Sequence, residues 1–466
     1  MQKRLFLSLI PIVGLGLGLG SALGQSNTPE GGGGYSPPTG ICLSGEQRVE
    51  IDSMLARNVR QLIRQGILPA EPARPAAAVL LDWPLRQAAG FKYNSIYGVS
   101  NFVDHNPAIG KHQDWNCNTR TYDSGNYNHA GTDIFLWPFD QNMMESGQAQ
   151  ITAAAPGVII GRYDGNFDLN CALSNANWNA VYLRHTDGSV TWYGHMKTGS
   201  VTGKQLGATV AAGEVLGTVG SSGSSTGPHL HFELHDAQGK VVDPYAGPCG
   251  PATSSWAAQK PYFEPTVNAV LTHHQAPVFE ACPKPDQTNL SNNLTAGETA
   301  YFAAYYHDQR QGQASTYTVY RPDNTVFSTW NHSSTAAHYA ASYWYWPLKM
   351  PATAVPGNWR FEVAYEGTVV KHEFTVGQVV TALGSARQAA AFTLAPNPAQ
   401  RRATLTLAGQ PATGAEVTVR TMLGQVVSRQ PLAARLTELA LPASPGLYLV
   451  TLPTPEGLAT QKLLVE

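Results

Sequence analysis

Hydrophobic and polar positions along this chain fall mostly into short runs that change every few residues, the pattern of strands separated by turns. One stretch departs from it. Between 46 and 67 the apolar residues Ile51, Leu55, Val59, Leu62 and Ile63 recur at helical spacing and predict an amphipathic helix with one apolar stripe. From 77 to about 243, short apolar runs are broken by Gly, Asn and Asp, which predicts a small antiparallel sheet folded over on itself. Between 265 and 377, Thr299-Ala-Tyr-Phe-Ala-Ala-Tyr305 and Trp359-Arg-Phe-Glu-Val-Ala-Tyr365 read as sandwich strands, with a turn at Pro356-Gly-Asn358 before the second. Tyr343-Trp-Tyr-Trp346 is aromatic on both faces, and is read as a packed strand or domain contact rather than a sugar-binding platform. From 390 onward the alternation in 416–420 predicts a further half-buried strand. The fold class is therefore all-β and multidomain. A small antiparallel sheet domain at 81–250 is followed by two sandwich-like domains at 265–377 and 390–466.

Composition agrees. The chain has 466 residues, 45 of them Gly and 32 Pro, as a turn-rich β protein requires, and its length suits about three domains. A formal net charge of −2 leaves no basic footprint, so nucleic acid is not an expected partner. Residues 1–24 read as a signal peptide: Met1-Gln-Lys-Arg4 is basic, 5–20 is apolar and broken by Gly, and Ala22-Leu-Gly24 supplies small residues for cleavage. The apolar stretch falls short of the ~20 residues of a comfortable membrane span, and no other segment could cross, so the mature protein is expected to have no membrane span. Residues 25–80 combine a Gly/Pro/Ser-rich flexible stretch at 27–39 with the predicted helix, which either belongs to a propeptide or packs on the domain that follows.

Five residues carry the candidate chemistry: His129 and Asp133 in Asn128-His-Ala-Gly-Thr-Asp133, His195 in Tyr193-Gly-His195, and His229 and His231 in Gly227-Pro-His-Leu-His-Phe232. Two histidines and a carboxylate with spare imidazoles nearby suit a catalytic zinc ion, which takes three protein ligands and leaves a position for water. In a strand, residues two apart share a face, so His229 and His231 look into one site. His129 and Asp133 would be roughly 13 Å apart in a straight strand, too far to share one ion with bonds of about 2 Å. The chain must bend between them, and Gly131 is where a bend is cheapest. This predicts one ligand on a turn, one entering a strand and one on a neighbouring strand. A His-x-His pair alone could equally serve packing. His185, before an Asp-Gly turn, is read as structural, and His112, His235, His307, His332 and His338 as ordinary surface or packing residues.

The surrounding words carry a resemblance. The run from Ala211 to Glu233, with Gly220-Ser-Ser-Gly-Ser-Ser-Thr-Gly-Pro-His-Leu-His-Phe232 at its end, resembles the lysostaphin-type zinc metalloendopeptidases, a family of peptidoglycan hydrolases. So do His129-Ala-Gly-Thr-Asp-Ile134, Ala154-Ala-Pro-Gly-Val-Ile159 and Trp192-Tyr-Gly-His195. The words stand in the family's order over roughly 80–250. The resemblance implies that His129, Asp133 and His231 hold Zn2+, while His195 and His229 are the catalytic histidines. On the same strand face as His231, His229 is placed to take the water's proton, and His195, acting as an N–H donor, to stabilise the oxyanion. One departure is Ala208, where many relatives carry a polar residue such as Asp, at an expected turn away from the metal.

The last segment has its own words: Leu394-Ala-Pro-Asn-Pro398, Met422-Leu-Gly424, Gly446-Leu-Tyr448 and Lys462-Leu-Leu-Val465. From about 390 it resembles the C-terminal sorting domain of type IX secretion cargo; the alternative is a further Ig-like module. That resemblance implies a secreted or cell-surface protein with the type IX machinery as a partner. The expected function is a secreted zinc metalloendopeptidase cutting stem or cross-bridge peptides of peptidoglycan. The alternatives are a secreted protease acting on Gly-rich proteins and a non-catalytic wall-binding protein. In an exported chain the five cysteines are expected to be bridged where possible, Cys117 with Cys171 and Cys249 with Cys282, leaving Cys42 over. No close Cys-x2-4-Cys spacing is present, so no cysteine is expected to bind zinc.

Overall fold

The computed structural model describes the chain except residues 1–22, 25, 38–39, 41, 70–77, 125–126 and 378–391, with short breaks at 408–409, 412–414, 422–425, 433, 442–443 and 455–456. The expected signal peptide thus lies almost wholly outside the described residues. Two compact units result, Met1–Val379 and Val380–Glu466. The described residues form a nearly all-β, multidomain protein with two helices, neither long and apolar enough to cross a membrane.

The central sheet of the first unit runs in the order Thr209–Val210, Gly157–Tyr163, Ala180–Arg184, Val190–Gly194, His229–His235, Thr132–Leu136, Tyr97–Asn101, antiparallel throughout. Alternation along its strands decides which residues face what. Leu230, Phe232 and Leu234 join Ile134, Leu136, Val181, Leu183 and Tyr193 in one buried core. A short sheet of Val215–Thr218, Ala149–Thr152 and Leu85–Gln87 packs over that face through Leu216, Ile151 and Leu85. The residues between, His229, His231, Glu233 and His235, face the other way as a strand's period of two requires. The strands of this sheet all lie within 77–243, the stretch read from sequence as a small antiparallel sheet.

The predicted helix is present as Gly45–Arg64. It begins at a capping box: the Gln47 N–H donates to Ser44 Oγ (3.2 Å) and the Ser44 N–H to Gln47 Oε1 (2.9 Å), satisfying two backbone donors that the first turn leaves free. Its stripe of Ile51, Leu55 and Leu62 packs on Ile160, Tyr182 and Trp192, on the sheet face that also carries the histidines. Burying Leu62 alone contributes about 1.5–3 kcal/mol. Ahead of the helix, Gly31–Tyr35 lies in a different sheet as an antiparallel edge strand on His338–Lys349.

That sheet runs Thr266–His273, Thr299–Arg310, His338–Lys349, Gly31–Tyr35, and forms a sandwich with a second built on Val326–Ser333, Ala314–Tyr320, Gly357–Tyr365 and Thr368–Gly377. The aromatic run is packed on both faces: Trp346 lies in the sandwich core beside Tyr317 and Trp330, while Tyr343 meets Trp137 and Phe279. The strand Thr132–Leu136 is held from this side, because Phe135 and Trp137 pack against Ala269, Leu271, Ala303 and Tyr305. The second unit is itself a small sandwich. A sheet of Phe392–Ala395, Arg402–Leu407 and Leu436–Ala440 faces one of Val426–Pro431, Glu416–Thr421, Gly446–Thr454 and Gly457–Val465, over a core including Leu405, Val419, Leu439 and Val450.

The expected cysteine pairing is overturned. Cys117 pairs with Cys249 and Cys171 with Cys282, across Cα separations of 5.1 and 5.7 Å. Pairing by position along the chain failed because the sheet brings the loop before His129 against the segment at 249, while Cys171, on the long 164–179 loop, reaches the segment that leads into the sandwich. Cys42 is free, as expected, but buried.

Two carboxylates near that second disulfide generate a pH prediction. Burial pushes Asp140 up to about 6, and burial together with the Asp140 charge pushes Asp286 up to about 7. The folded chain holds protons there that the unfolded chain, with carboxylates near their usual ~4, has released. Stability from this pair is therefore present below about pH 4 and is lost as pH rises through 6–7. Asp286→Asn should raise the urea midpoint at pH 8 relative to the natural chain, with the gain vanishing toward pH 4; an equal gain at both pH values would sink this account.

Candidate metal and catalytic centre

The register of two strands builds the centre. Asp133 lies directly opposite His231 across the pair Thr132–Leu136 and His229–His235, and Phe135 opposite His229. His129 sits just before the first of these strands, and its ring turns back so that Nε2 is 3.2 Å from Asp133 Oδ2 and 3.4 Å from His231 Nδ1. One residue before a strand, one inside it and one on its neighbour is the arrangement expected of the three candidate ligands. Gly131 lies at a bend, as expected, and is needed for a second reason. A Cβ there would lie 2.7 Å from His231 Cε1 and from the Phe232 carbonyl oxygen, so the glycine permits close approach of the two strands.

All five candidate residues come together, and all are buried: His229 is 4% exposed and the other four 0–1%. Hydrogen bonds fix which ring nitrogens are free. A carbonyl can only accept, so His129 Nδ1 donates to Phe102 O (2.7 Å), His195 Nδ1 to Ser222 O (2.6 Å) and His229 Nδ1 to Gly227 O (2.9 Å). Each Nε2 is left with a lone pair. His231 is oriented oppositely, its Nε2 donating to Glu233 Oε1 (2.7 Å) while Nδ1 faces Asp133 Oδ1 at 2.7 Å. Among the described residues His195 Nε2 has no hydrogen-bond partner. His195 itself stands at φ 58°, a left-handed conformation costing on the order of 1 kcal/mol for a residue with a Cβ, with its ring between Trp178 and His229.

The donor set fits a metal ion. Lone pairs of His129 Nε2 and His231 Nδ1 converge with the Asp133 carboxylate, and something positive must lie among them. With no cation the cluster takes a proton instead. Burial opposes charge on His231, but Cys42, Asp133 and Glu233 hold its imidazole well above the usual range. Burial likewise opposes the Asp133 charge, and His129 and His231 hold it well below the carboxylate range. A tetrahedral ion with bonds of 2.0–2.3 Å has ligand–ligand edges of about 3.3–3.8 Å, close to most of the separations found. His129 Nε2, Asp133, His231 Nδ1 and also Cys42 Sγ all lie within 4.8 Å of one another.

Several residues that hold the centre were not singled out in the sequence. Glu233 is 0% exposed and joins His231 to His235 Nε2 (2.7 Å) and to Arg48 of the helix, whose Nη1 donates to Oε2 at 3.0 Å. Such a carboxylate behind a metal-binding histidine fixes the ring and strengthens its donor nitrogen. His235, read as an ordinary residue, therefore belongs to the support of the centre, stacked on Trp192 at 4.5 Å. Its two-residue offset from Glu233 and four-residue offset from His231 were a usable signal, since all three share one strand face. Tyr122 stacks on His129 at 4.2 Å, and Asn101 Nδ2 donates to Asp133 Oδ2 at 3.3 Å. His185 is structural as expected, bonded at both nitrogens to Pro156 O and Thr191 Oγ1. Ala208 lies in a turn beside the edge strand Thr209–Val210, away from the centre.

Residues 128–244 match the family model described as Peptidase family M23. The DD-carboxypeptidase/endopeptidase Mpg of Neisseria meningitidis is 47% identical over 66 residues, 14% of this chain and 14% of that protein. The peptidoglycan DD-endopeptidase ShyC of Vibrio cholerae is 42% identical over 58 residues, 12% of this chain and 13% of that one. The chain thus spans about a seventh of the length of these curated relatives. Among solved structures, the catalytic domain of lysostaphin from Staphylococcus simulans is 23% identical, covering 34% of this chain and 96% of that one at a TM-score of 0.19. The catalytic domain of the prophage-encoded M23 protein EnpA from Enterococcus faecalis is 24% identical, covering 36% and 96% at a TM-score of 0.21.

If Glu233 orients His231, Glu233→Gln should weaken metal binding about 10–100-fold in chelator competition. Unchanged affinity in a folded variant would show that the carboxylate only anchors Arg48.

Proposed function

We propose, for a chain whose residues 128–244 match Peptidase family M23, that it is a zinc metalloendopeptidase hydrolysing peptide bonds of bacterial peptidoglycan outside the cell. The observation that carries this is the pairing of two sets of nitrogens. His129 Nε2, Asp133 and His231 Nδ1 converge as a ligand set, and the Nε2 atoms of His195 and His229 face the same space with their other nitrogens already spent on carbonyls. The similarity to a peptidoglycan DD-endopeptidase and to a DD-carboxypeptidase/endopeptidase supports the substrate class. The signal-peptide pattern and the C-terminal words support export.

Zinc, when bound, would supply an acidified water and polarise the scissile carbonyl. The protein supplies the rest. His229 stands two residues from His231 on the same strand face. Its fixed tautomer offers a lone pair at Nε2 to accept the water's proton, which it later returns to the leaving amine. His195 Nε2, buried against Trp178 and without another hydrogen-bond partner among the described residues, would support the oxyanion once it gains a proton, a form that burial and the neighbouring His229 disfavour until negative charge develops there. The carbonyls of Ser222 and Gly227 hold both rings, so neither needs to reorient during the reaction.

The test is release of new amino groups from purified peptidoglycan, measured in a Cys42→Ala background so that the nearby thiol does not compete for the centre. His231→Ala should abolish both release and metal binding. His195→Ala and His229→Ala should each lower turnover about 10²–10⁴-fold with the metal retained. Metal-loaded protein that releases nothing from the wall would overturn the wall substrate and turn the search to Gly-rich proteins.

A further inference from the structure

Cys42 lies in the N-terminal segment, 87 residues before His129, yet it is 1% exposed inside the centre. Its Sγ is 3.3 Å from Tyr122 Oη, 3.7 Å from His229 Nε2 and 3.9 Å from Asp133 Oδ1. It belongs to two clusters of ligand atoms at once, one with His129, Asp133 and His231 and the other with His195 and His229. The sulfur therefore stands between the ligand set and the two catalytic imidazoles, where the attacking water of the proposed reaction has to be. We propose that Cys42 is the fourth ligand of the metal, and that the described arrangement is a latent form closed by residues 42–64. This rests on the proposed reading of the centre as a zinc site.

The segment is built to hold that position. Just after Cys42 the chain enters the capping box and the helix, whose stripe is buried on the sheet. Arg48 reaches back under the centre to Glu233, stacked over Tyr127 at 4.3 Å. Gln47 Nε2 donates to the carbonyls of Asn175 (3.3 Å) and Ala176 (3.0 Å) in the long loop, and Asn58 Nδ2 to Ile160 O (2.9 Å). Gly40, at φ +137°, passes so close to the same loop that a Cβ would meet Leu173 Cδ2 at 2.7 Å. A sulfur held on such a scaffold is delivered at high effective concentration, so one coordinate bond suffices to exclude water. On binding, the thiol gives its proton to solvent. When the segment withdraws, the metal–sulfur bond breaks, the thiolate takes a proton, and water fills the vacated position. Sequence reasoning set Cys42 aside because ligand spacing was sought along the chain, whereas this ligand arrives from a separate segment.

The experiment uses the full chain loaded with cobalt(II), whose visible bands report occupancy and whose near-ultraviolet charge-transfer band reports a thiolate ligand. The natural chain should show both, and Cys42→Ala should keep the visible bands and lose the sulfur band. Leu62→Asp, which loosens the helix without touching the centre, should weaken the sulfur band as well. Peptidoglycan hydrolysis should rise roughly tenfold or more in either variant, since the competent state is no longer a minor population. Cobalt bound without a sulfur band in the natural chain overturns the ligand assignment. A sulfur band with equal hydrolysis in all three chains overturns the latency. If instead Cys42→Ala binds cobalt but cuts nothing, the peptidoglycan reading fails while the ligand stands.

Discussion

Everything around the centre depends on keeping several ionisable groups almost free of water without leaving any of their charges unmatched. Removing a carboxylate or an imidazolium from water costs several kcal/mol per ion unless partners replace the lost hydration. Here the partners form one continuous chain: Phe102 carbonyl, His129, Asp133, His231, Glu233, then Arg48 and His235. Breaking a link would strand a charge in the interior. The strand register, the bend at Gly131 and the docked helix all serve to keep that chain closed.

The sheet's two faces have divided the work. One packs Leu230, Phe232 and Leu234 into the core and gives the strand its rigidity. The other presents His229, His231, Glu233 and His235 in a row, so that the proposed ligand, the proposed base and the carboxylate bonded to His231 come from a single strand. The neighbouring strand adds Asp133 and is clamped from outside by Phe135 and Trp137 against the sandwich. A site on packed strands holds its geometry better than one on loops, and the sandwich here braces the strand that carries Asp133 in addition to forming a module of its own.

The Gly/Ser run at 220–225 reads in isolation like a flexible linker. In the structure Ser221, Ser222, Ser224 and Ser225 are all buried. Ser221 Oγ donates to Ser225 Oγ, Ser222 Oγ to Met196 O, and the carbonyls of Ser222 and Gly227 fix His195 and His229. Small residues are required because the run passes close under other backbone: a Cβ at Gly220 would lie 2.5 Å from Lys197 N, and one at Gly223 2.7 Å from Trp178 Cβ. Composition alone gives the opposite impression, since the same residues that make a linker loose also allow backbones to touch.

What the sequence determined by itself was whatever is encoded locally. The period of two in 229–235, the helical stripe through Ile51, Leu55 and Leu62, the all-β class and the five candidate residues at His129, Asp133, His195, His229 and His231 all follow from near neighbours in the chain. Tertiary structure alone decided what depends on distant segments meeting. Cys117 pairs with Cys249 across 132 residues and Cys171 with Cys282 across 111, Arg48 finds Glu233, and Cys42 enters the centre. No local pattern records such meetings, because a strand's periodicity fixes which face a side chain takes but not which other part of the chain will lie over it.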